Sequence, residues 1–343
     1  MKKILAMALA LCMVLSLAAC GQKTETPAAS GAAEDAAAEE AVVYTMNIGS
    51  AMTDTHPVSI ALEQFKANVE ERTNGGVIVN HHGSSSLGGE IELLEQNIAG
   101  ALEASMQMGA ANFESYNGAA DVALLPFLFS SIDSAREAWG GAFGEKFAEE
   151  IVAPTGVTAL TFVESGMRHM TNNTRPLVTP EDLAGIKFRT NENHMKVQMY
   201  EALNGSVVMM PFSEVFAALQ NGTIDGQENP LANIHSASLQ EVQTYLSLTG
   251  HMYDAGPFVV NTAWFESLPE EYQTIIKEEA QNLRALELEL NDEGKYLDML
   301  KEAGMEVNEV DVAAFQECMG PVWEKFESQY GTEWTELATS FNK

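Results

Sequence analysis

Basic residues are scarce in this sequence. It has 18 Lys and Arg against 49 Asp and Glu, and its formal net charge is −31. Proteins that bind DNA or RNA neutralise phosphates with a basic stripe or patch, and the sequence contains none. We therefore expect no nucleic-acid partner. The excess of acid favours solubility, whereas it says little about the fold.

The sequence also lacks the common catalytic and metal-binding motifs. Its seven histidines form neither H-E-x-x-H nor a Cys/His zinc pattern. Neither G-x-x-x-x-G-K-[ST] nor G-x-G-x-x-G occurs, and there is no G-x-S-x-G elbow for a nucleophilic serine. The run DGQEN at 225–229 lacks the acid spacing of a calcium loop. We expect no metal, no cofactor and no enzymatic activity.

The N-terminus has the pattern of a targeting segment. Lys2 and Lys3 precede an apolar run, 4–17, that is too short for a comfortable membrane span. Small residues then precede Cys20, which resembles a bacterial lipobox, and the alternative is an ordinary secretory signal with a chance cysteine. We predict a signal peptide over 1–19 and lipidation of Cys20. The protein would then be extracytoplasmic and anchored to the cell membrane by lipid.

A low-complexity segment follows the cleavage site, and cysteine is scarce after it. Residues 21–41 have no apolar periodicity and cannot bury enough surface to fold, so we predict a disordered tether over 20–41. Of the three cysteines, Cys12 lies in the signal and Cys20 would carry lipid. Cys318 therefore has no partner for an intramolecular disulfide, and its helical context predicts a buried small apolar side chain.

Strand-like and helix-like patterns alternate through the rest of the chain. Apolar runs at 42–48, 77–80 and 102–108 alternate with helical patterns, and a second alternation begins near Gly166. This order predicts an α/β fold, and 343 residues are too many for one ordinary core. We predict two domains, with domain I formed by 42–165 and about 255–294, and domain II formed by about 166–254 and 295–343.

Local signals predict several individual elements. A capped helical pattern begins at Pro269 and meets no breaker before Gly294. A helix of about 25 residues is about 37 Å long and could brace both domains. We also expect one helix over 131–151, separate strands over 157–163 and 167–171, and a turn at 225–229.

Two arginines and one asparagine are candidates for a binding cleft. Arg189 ends a predicted strand, and ligands of open α/β sheets bind beyond the carboxyl ends of strands. A guanidinium matches a carboxylate bidentately, although most arginines have a structural role. Arg168 lies on another predicted strand, so two cations could face one cleft. Asn229 follows a turn-rich run, and its amide can donate to a carboxylate and accept from a hydroxyl.

Many ordered blocks of the sequence resemble one family. They include SSLGGEIELLE at 85–95, LLPFLF at 124–129, SGMRHMTNNTRPLVTPEDLAGIKFR at 165–189 and PFSEVFAALQNGTIDGQENP at 211–230. The chain from about Val42 to Trp334 resembles the DctP-like substrate-binding proteins of tripartite ATP-independent periplasmic (TRAP) transporters. That resemblance implies a two-domain periplasmic-binding-protein clamshell of type II-like plan, closed on an organic acid and braced by a long helix.

The resemblance also implies roles for particular residues. The carboxylate-gripping arginine of the family falls on Arg189, its second cleft arginine on Arg168 and its cleft asparagine on Asn229. Phe212 matches a position that lines the pocket. Glu90 and His56 fall where first-domain residues meet the far end of the ligand. These six residues form the candidate substrate-binding set.

The ligand and the partners are expected on the same basis. The ligand would be a small organic acid, with a sugar acid such as a hexuronate favoured over a C4-dicarboxylate. The sugar acid is favoured because the carboxylate of Glu90 would repel a second carboxylate of the ligand. The partners would be TRAP membrane subunits, and the chain would be a monomer. The alternatives are an ABC-type binding lipoprotein and an extracytoplasmic enzyme on a bilobal fold.

Overall fold

The computed structural model describes residues 42–191 and 193–343. These described residues form one compact unit. Within the described residues, no helix combines the length and the apolar character that crossing a membrane requires. The predicted signal peptide, Cys20 and the tether lie outside the described residues.

A mixed sheet of nine strands forms the centre of the described part. Its order is β2-β1-β3-β8-β4-β7-β5-β6, and β9 pairs with β8. β1 is parallel to β2 and β3, and β5 is parallel to β6 and β7, so the α/β class predicted from the alternation is confirmed. The strands are β1 Tyr44–Ser50, β2 Val77–His82, β3 Ala104–Met106, β4 Val157–Asn172, β5 Lys187–Thr190, β6 Ser206–Met209, β7 Gly226–Pro230, β8 Tyr245–Asn261 and β9 Glu306–Glu309.

Two long antiparallel strands, β4 and β8, join the two ends of this sheet. β3 pairs with β8 at Phe258–Val260, whereas β7 pairs with the other end of the β4–β8 ribbon, at Arg168–Asn172. The separate strands predicted at 157–163 and 167–171 are one strand, because register shifts along β4 absorb the break that Gly166 suggested. We call residues 42–165 region I and residues 166–254 region II.

Thirteen helices of the described residues surround the sheet. Most begin at a residue whose side chain or ring favours the first turn, such as His56 and Pro57 at the start of α1. The helices are α1 Pro57–Arg72, α2 Glu90–Ile98, α3 Ile132–Trp139, α4 Ala142–Phe147, α5 His194–Ala202, α6 Val215–Gln220, α7 Leu231–Ser236, α8 Thr262–Glu266, α9 Glu270–Leu290, α10 Glu293–Glu302, α11 Val312–Glu317, α12 Gly320–Tyr330 and α13 Glu333–Thr339.

The single helix predicted over 131–151 is wrong. The chain forms α3 and α4, separated by Gly140 and Gly141, and a π-helical turn follows from Ala148 to Val152. Two adjacent glycines weaken a helix and allow a sharp change of direction. The break lets the aromatic rings of Trp139 and Phe143 pack edge to face at 4.9 Å between centroids.

The DGQEN run is also not the predicted turn. Gly226–Pro230 is strand β7, and every one of its five residues is buried. A Cβ atom at Gly226 would lie 2.4 Å from the carbonyl oxygen of Thr171, so glycine permits the close approach of β7 to β4. Its polar side chains find partners inside the protein, as when Gln227 Nε2 donates to Thr171 Oγ1 at 2.9 Å.

The long helix is present as α9, with 21 residues from Glu270 to Leu290. Its length is about 31 Å at 1.5 Å per residue. It packs against α1, and in the middle of α9 Arg72 Nη1 donates to Glu279 Oε1 at 2.6 Å. Near its end, Glu287 Oε2 accepts from the backbone N–H of Glu164 at 3.1 Å, in the middle of β4. The helix therefore ties region I to the middle of the central ribbon.

Cys318 is half-buried rather than fully buried. It packs at the margin of a large apolar cluster that includes Phe315, Met319 and Val322. Its Sγ donates weakly to the carbonyl oxygen of Ala314 at 3.5 Å. Among the described residues, Cys318 is a free cysteine.

Candidate ligand-binding site

A cavity of about 330 Å³ lies between region I and region II. This volume is within the range of small-molecule sites. Its walls come from the loop before α2, from α2 itself, from the end of β5 and from the chain after β6. The described lining residues are Ala51, Ser85, Gly89, Glu90, Ile91, Glu92, Glu95 and Asn112 of region I, and Arg189, Asn191, Pro211, Phe212 and Ser213 of region II.

Arg189 is the one cationic side chain among these described lining residues. It stands on β5 and is 2% exposed. Its Nε and Nη2 atoms both donate to the carbonyl oxygen of Met210, at 2.9 and 2.7 Å. Those bonds fix the guanidinium and leave Nη1 without a hydrogen-bond partner among the described residues. Burial lowers the pKa of Arg189 to about 10, so the group remains charged at neutral pH.

The charge of Arg189 has no carboxylate partner within 4.0 Å among the described residues. A buried ion without a counter-charge is strongly unfavourable, so this arrangement favours binding of an anion from solution. The ring of Phe212 lies beside the guanidinium, with its centroid 5.9 Å from the Arg189 Cζ atom. An aromatic ring at that distance attracts the guanidinium and covers one of its flat faces.

Arg168 has a different environment, although it is also buried. Its guanidinium donates to Glu228, to Asp254 Oδ2 at 2.8 Å and to Asn229 Oδ1 at 3.0 Å. Nε and both terminal nitrogens thus have protein acceptors, and Arg168 does not line the cavity. The sequence suggested two arginines facing one cleft, whereas only Arg189 faces the cavity directly.

A buried acid, Glu228, connects Arg168 to further charged groups. Glu228 also accepts from Lys196 Nζ at 3.1 Å, and His251 Nε2 lies 3.4 Å from it. Burial opposes ionisation of Glu228, but Arg168 and Lys196 outweigh it and hold the pKa well below its usual range. Sequence reasoning missed Glu228 and Lys196. The only signal was an acid inside the DGQEN run, which was interpreted as a turn.

Asn229 and His56 are both hydrogen-bonded to Asn233, and both lie outside the cavity lining. Asn229 Nδ2 donates to Gln227 Oε1 at 2.5 Å, and its Oδ1 accepts from Asn233 at 3.5 Å as well as from Arg168. His56 Nδ1 accepts from the backbone N–H of Val58 as the cap of α1, so its Nε2 donates to Asn233 Oδ1 at 2.9 Å. Burial lowers the pKa of His56 to about 4, which keeps the ring neutral.

Glu90 lies in the opposite wall of the cavity, at the first position of α2. Its Oε1 accepts from the backbone N–H of Met108 at 3.1 Å, and its Oε2 accepts from Asn112 Nδ2 at 2.8 Å. Burial raises the pKa of Glu90, and those two hydrogen bonds oppose the rise. The carboxyl group is therefore fixed in place while it borders the cavity.

Two further glutamates of α2, which sequence reasoning missed, line the same wall. Glu92 and Glu95 lie one turn apart on α2, and both border the cavity together with Glu90. Glu92 Oε2 accepts from the backbone N–H of Gly89, so the N-terminus of α2 is capped by its own acid. The helix end that would otherwise attract an anion is thus neutralised within the protein. The cavity has one positive end and one acidic wall.

Region I and region II share a long two-stranded ribbon, and a buried cation borders the cavity between them. This arrangement is that of an α/β solute-binding protein. The chain matches the family model for DctP, described as "Bacterial extracellular solute-binding protein, family 7", over residues 48–329. It belongs to this family, the substrate-binding proteins of TRAP transporters. The resemblance stated from the sequence is confirmed, and with it the two-domain clamshell fold.

Relatives and solved structures agree with that assignment. The chain is 35% identical to a solute-binding protein of Verminephrobacter eiseniae, over 86% of this chain and 88% of that protein. It is 32% identical to the 2,3-diketo-L-gulonate-binding periplasmic protein YiaO of Escherichia coli, over 80% and 84%. A TRAP solute-binding protein of Sulfitobacter sp. NAS-14.1, solved with bound β-D-galacturonate, is 30% identical with a TM-score of 0.81, covering 87% of this chain and 99% of that chain.

The family assignment answers the broader questions raised by the sequence. TRAP solute-binding proteins bind small organic acids outside the cytoplasm and work with membrane subunits. They are transport proteins rather than enzymes, and the family is the tripartite type rather than the ABC type. The identity of the ligand, the roles of the individual site residues and the lipid anchor stay predictions.

Proposed function

We propose that this protein captures a sugar acid, with a hexuronate favoured and a C4-dicarboxylate second, and delivers it to TRAP membrane subunits. The single observation that carries this proposal is Arg189, a buried and charged guanidinium without a carboxylate partner among the described residues. The carboxylate of the ligand supplies the missing counter-charge. It accepts from Arg189 Nη1, and Phe212 covers the guanidinium beside it.

The acidic wall supports a ligand that has a single carboxylate. Glu90, Glu92 and Glu95 accept hydrogen bonds, so they suit the hydroxyl groups of a sugar acid. A second carboxylate at that end would face like charge, which raises the free energy of the complex. Asn112 and Asn191 add amides that can both donate to and accept from hydroxyl groups.

Arg168, Asn229 and His56 support the site from behind the cavity wall in this proposal. Glu228 and Asp254 hold the side chain of Arg168 in place, and Arg168 in turn donates to Asn229. Asn229 connects that arginine to Asn233, and His56 connects Asn233 to α1 of region I. These contacts set the geometry of the two walls, and the ligand meets Arg189, Phe212 and Glu90 directly.

Capture uses closure of domain I, formed by 42–165 and about 255–294, on domain II, formed by about 166–254 and 295–343. A ligand that contacts both walls binds the closed arrangement more tightly and so shifts the equilibrium toward it. The chain acts as a monomer held by lipid on Cys20, and the tether lets it reach the membrane subunits. Loss of membrane attachment in Cys20→Ser, measured by fractionation of cells, tests the anchor separately.

A panel of acids tests the proposed ligand class. Thermal unfolding of the purified chain is followed with D-glucuronate, D-galacturonate, D-galactonate, succinate and malate, because a ligand of the folded state raises the transition temperature. We expect stabilisation by one or more of the sugar acids and weaker or no stabilisation by the dicarboxylates. Stabilisation by succinate or malate alone would transfer the proposal to a dicarboxylate, and stabilisation by none of the five would contradict it.

A further inference from the structure

A buried chain of hydrogen bonds runs from the cavity wall of region I into the sheet. Asn112 Nδ2 donates to Glu90 Oε2 at 2.8 Å and to Gln107 Oε1 at 3.0 Å. Gln107 Nε2 in turn donates to Ser105 Oγ, on β3, at 3.1 Å. Gln107 and Ser105 are fully buried, whereas Asn112 and Glu90 border the cavity. We refer to Glu90, Asn112, Gln107 and Ser105 together as the amide relay.

The direction of the amide relay is fixed at Asn112. An amide has two hydrogens and one oxygen, so by its chemistry it can both donate to a ligand and accept from one. Both hydrogens of Asn112 Nδ2 are already used, by Glu90 and by Gln107. The reverse orientation would place the Asn112 oxygen against a Glu90 oxygen, with no hydrogen between the two acceptors. Among the described residues nothing donates to Asn112 Oδ1, so what Asn112 offers a ligand is an acceptor.

Glu90 is likewise held as an acceptor. Its Oε1 accepts from the backbone N–H of Met108 and its Oε2 from Asn112, and two N–H donors favour the carboxylate over the protonated acid. A carboxylate has lone pairs beyond the two that these bonds use, so Glu90 can also accept from a ligand. Met108 and Asn112 both belong to the chain that follows β3, so one segment orients both acceptors.

The other polar side chains that region I contributes to the cavity lining are no better as donors. Glu92 and Glu95 are carboxylates, and Ser85 Oγ donates to the carbonyl oxygen of Ala51 at 3.5 Å. No hydrogen of a described lining side chain of region I is therefore left for a ligand acceptor, such as a ketone, an ether or a second carboxylate. A hydroxyl group of the ligand, in contrast, brings the hydrogen that these oxygens can accept.

We propose that Gln107 is a positioning residue that takes the second hydrogen of Asn112, and that the region I wall consequently selects sugar acids by the hydroxyl hydrogens that they donate. The inference rests on the proposed function and narrows its substrate class to hexuronates with free hydroxyl groups opposite the carboxylate. Gln107 itself lies outside the cavity lining, so it acts on the ligand only through Asn112.

Analogues of one hexuronate test this selection in the wild type. The parent acid is D-glucuronate or D-galacturonate, whichever binds more tightly, and its hydroxyl at C2 or at C3 is replaced by hydrogen or by fluorine. Hydrogen only removes the donor, whereas fluorine also places a partial negative charge against the acceptors. At one or both positions, titration calorimetry should show the parent binding about tenfold or more tightly than the deoxy acid. The deoxy acid should bind about threefold or more tightly than the fluoro acid.

Gln107→Met tests the positioning role. It removes the acceptor of the second Asn112 hydrogen at similar side-chain volume, so the amide can turn that hydrogen toward the ligand. The affinity for the deoxy acid relative to the fluoro acid should then fall to about one or below, because fluorine meets a donor. A merely structural loss would weaken all the ligands by the same factor. The matched control is Gln281→Met on α9, because Gln281 also donates to a backbone carbonyl, that of Leu160 at 2.9 Å, and lies outside the cavity lining.

Several results would overturn this inference. They are a fluoro acid that binds the wild type as tightly as the deoxy acid, equal binding of the parent and its analogues at both positions, and an unchanged ratio of the two analogues in Gln107→Met. Binding of another acid with no binding of either hexuronate would overturn it as well. If Gln107→Met fails to fold, the order of the ligands in the wild type still decides. A wild type that binds no acid at all would overturn the proposed function itself.

Discussion

Arg168 and Arg189 are two buried arginines of one region with opposite electrostatic environments. Arg168 is surrounded by Glu228 and Asp254, whereas Arg189 donates to a single backbone carbonyl and borders the cavity. Burial is the largest cause that lowers the pKa of Arg189; the negative charge of Glu228 opposes it, and the positive charge of Arg168 adds to it more weakly. One arginine thus contributes to the fold, and the other is available for a ligand.

The two arginines should respond in opposite ways to substitution. Arg168→Met leaves Asp254 buried without its cationic partner and Glu228 with Lys196 alone, and it should lower the free energy of unfolding by about 3–5 kcal/mol. Arg189→Met removes a buried charge that has no carboxylate partner among the described residues, so it should leave the unfolding free energy of the ligand-free protein unchanged or slightly higher. Urea denaturation without ligand checks both. A loss of stability in the Arg189 variant as large as that in the Arg168 variant would contradict the contrast.

The acidic wall should control selectivity between acids. Glu95→Gln removes one negative charge from the far end of the cavity and keeps the shape of the side chain. Its affinity for succinate should rise several-fold, and its affinity for a sugar acid should change less, because an amide still accepts from hydroxyl groups. Parallel calorimetric titrations give both affinities. An unchanged ratio between the two ligands would show that Glu95 plays no part in selectivity.

Glu287, where α9 meets β4, should make stability depend on pH. It is fully buried, its Oε1 has no partner among the described residues, and burial together with Glu164 raises its pKa well above the usual range. Its contribution is fully present below the unfolded pKa of about 4.3 and is lost as the pH rises through the folded value. Glu287→Gln should therefore lose less stability than the wild type between pH 5 and pH 8.

Urea denaturation at several pH values measures this effect. Glu289→Gln is the control, because Glu289 is an exposed acid of the same helix. Its pH profile should follow that of the wild type. A Glu287→Gln profile that also runs parallel to the wild type would mean that Glu287 does not titrate on its own in this range.

The close approach of β7 to β4 should make Gly226 intolerant of a side chain. Gly226→Ala places a methyl group about where the Thr171 carbonyl oxygen and the Phe188 ring already lie, so it should cost about 1–3 kcal/mol of stability through overpacking. Gly320→Ala, at the start of α12, is the matched control, because nothing lies within 4 Å of the added atom. Denaturant unfolding measures the stability of both variants. Equal losses of stability in Gly226→Ala and Gly320→Ala would contradict this account.

Periodicity and capping predicted most helices and parallel strands of this fold, because those signals are local. The helical pattern after His56 and the long pattern after Pro269 both correspond to helices. The continuous β4 strand could not be predicted, since pairing with β8 across the whole sheet overrides the break at Gly166. The buried strand Gly226–Pro230 was missed for a similar reason, because Gln227, Glu228 and Asn229 bond residues distant in sequence, such as Thr171 and Arg168.

The candidate site was predictable in part. Arg189 could be singled out by its place at a strand end, and family motifs pointed to Phe212 and Glu90, which the cavity brings together. The acids that pair with Arg168 were not predictable, because Asp254 and Glu228 come close to it only through strand pairing. The hydrogen bonds of Asn193 to Glu114 and Asp121 depend in the same way on distant segments.

The central claim is that Arg189 holds the carboxylate of the ligand, and titration calorimetry with the sugar acid that most stabilises the wild type tests it most directly. Arg189→Ala should weaken binding by a hundredfold or more, which corresponds to about 2.7 kcal/mol or more. Lys187→Ala, an exposed cation on the same strand, should bind as the wild type does. Wild-type affinity in the Arg189 variant would contradict the account.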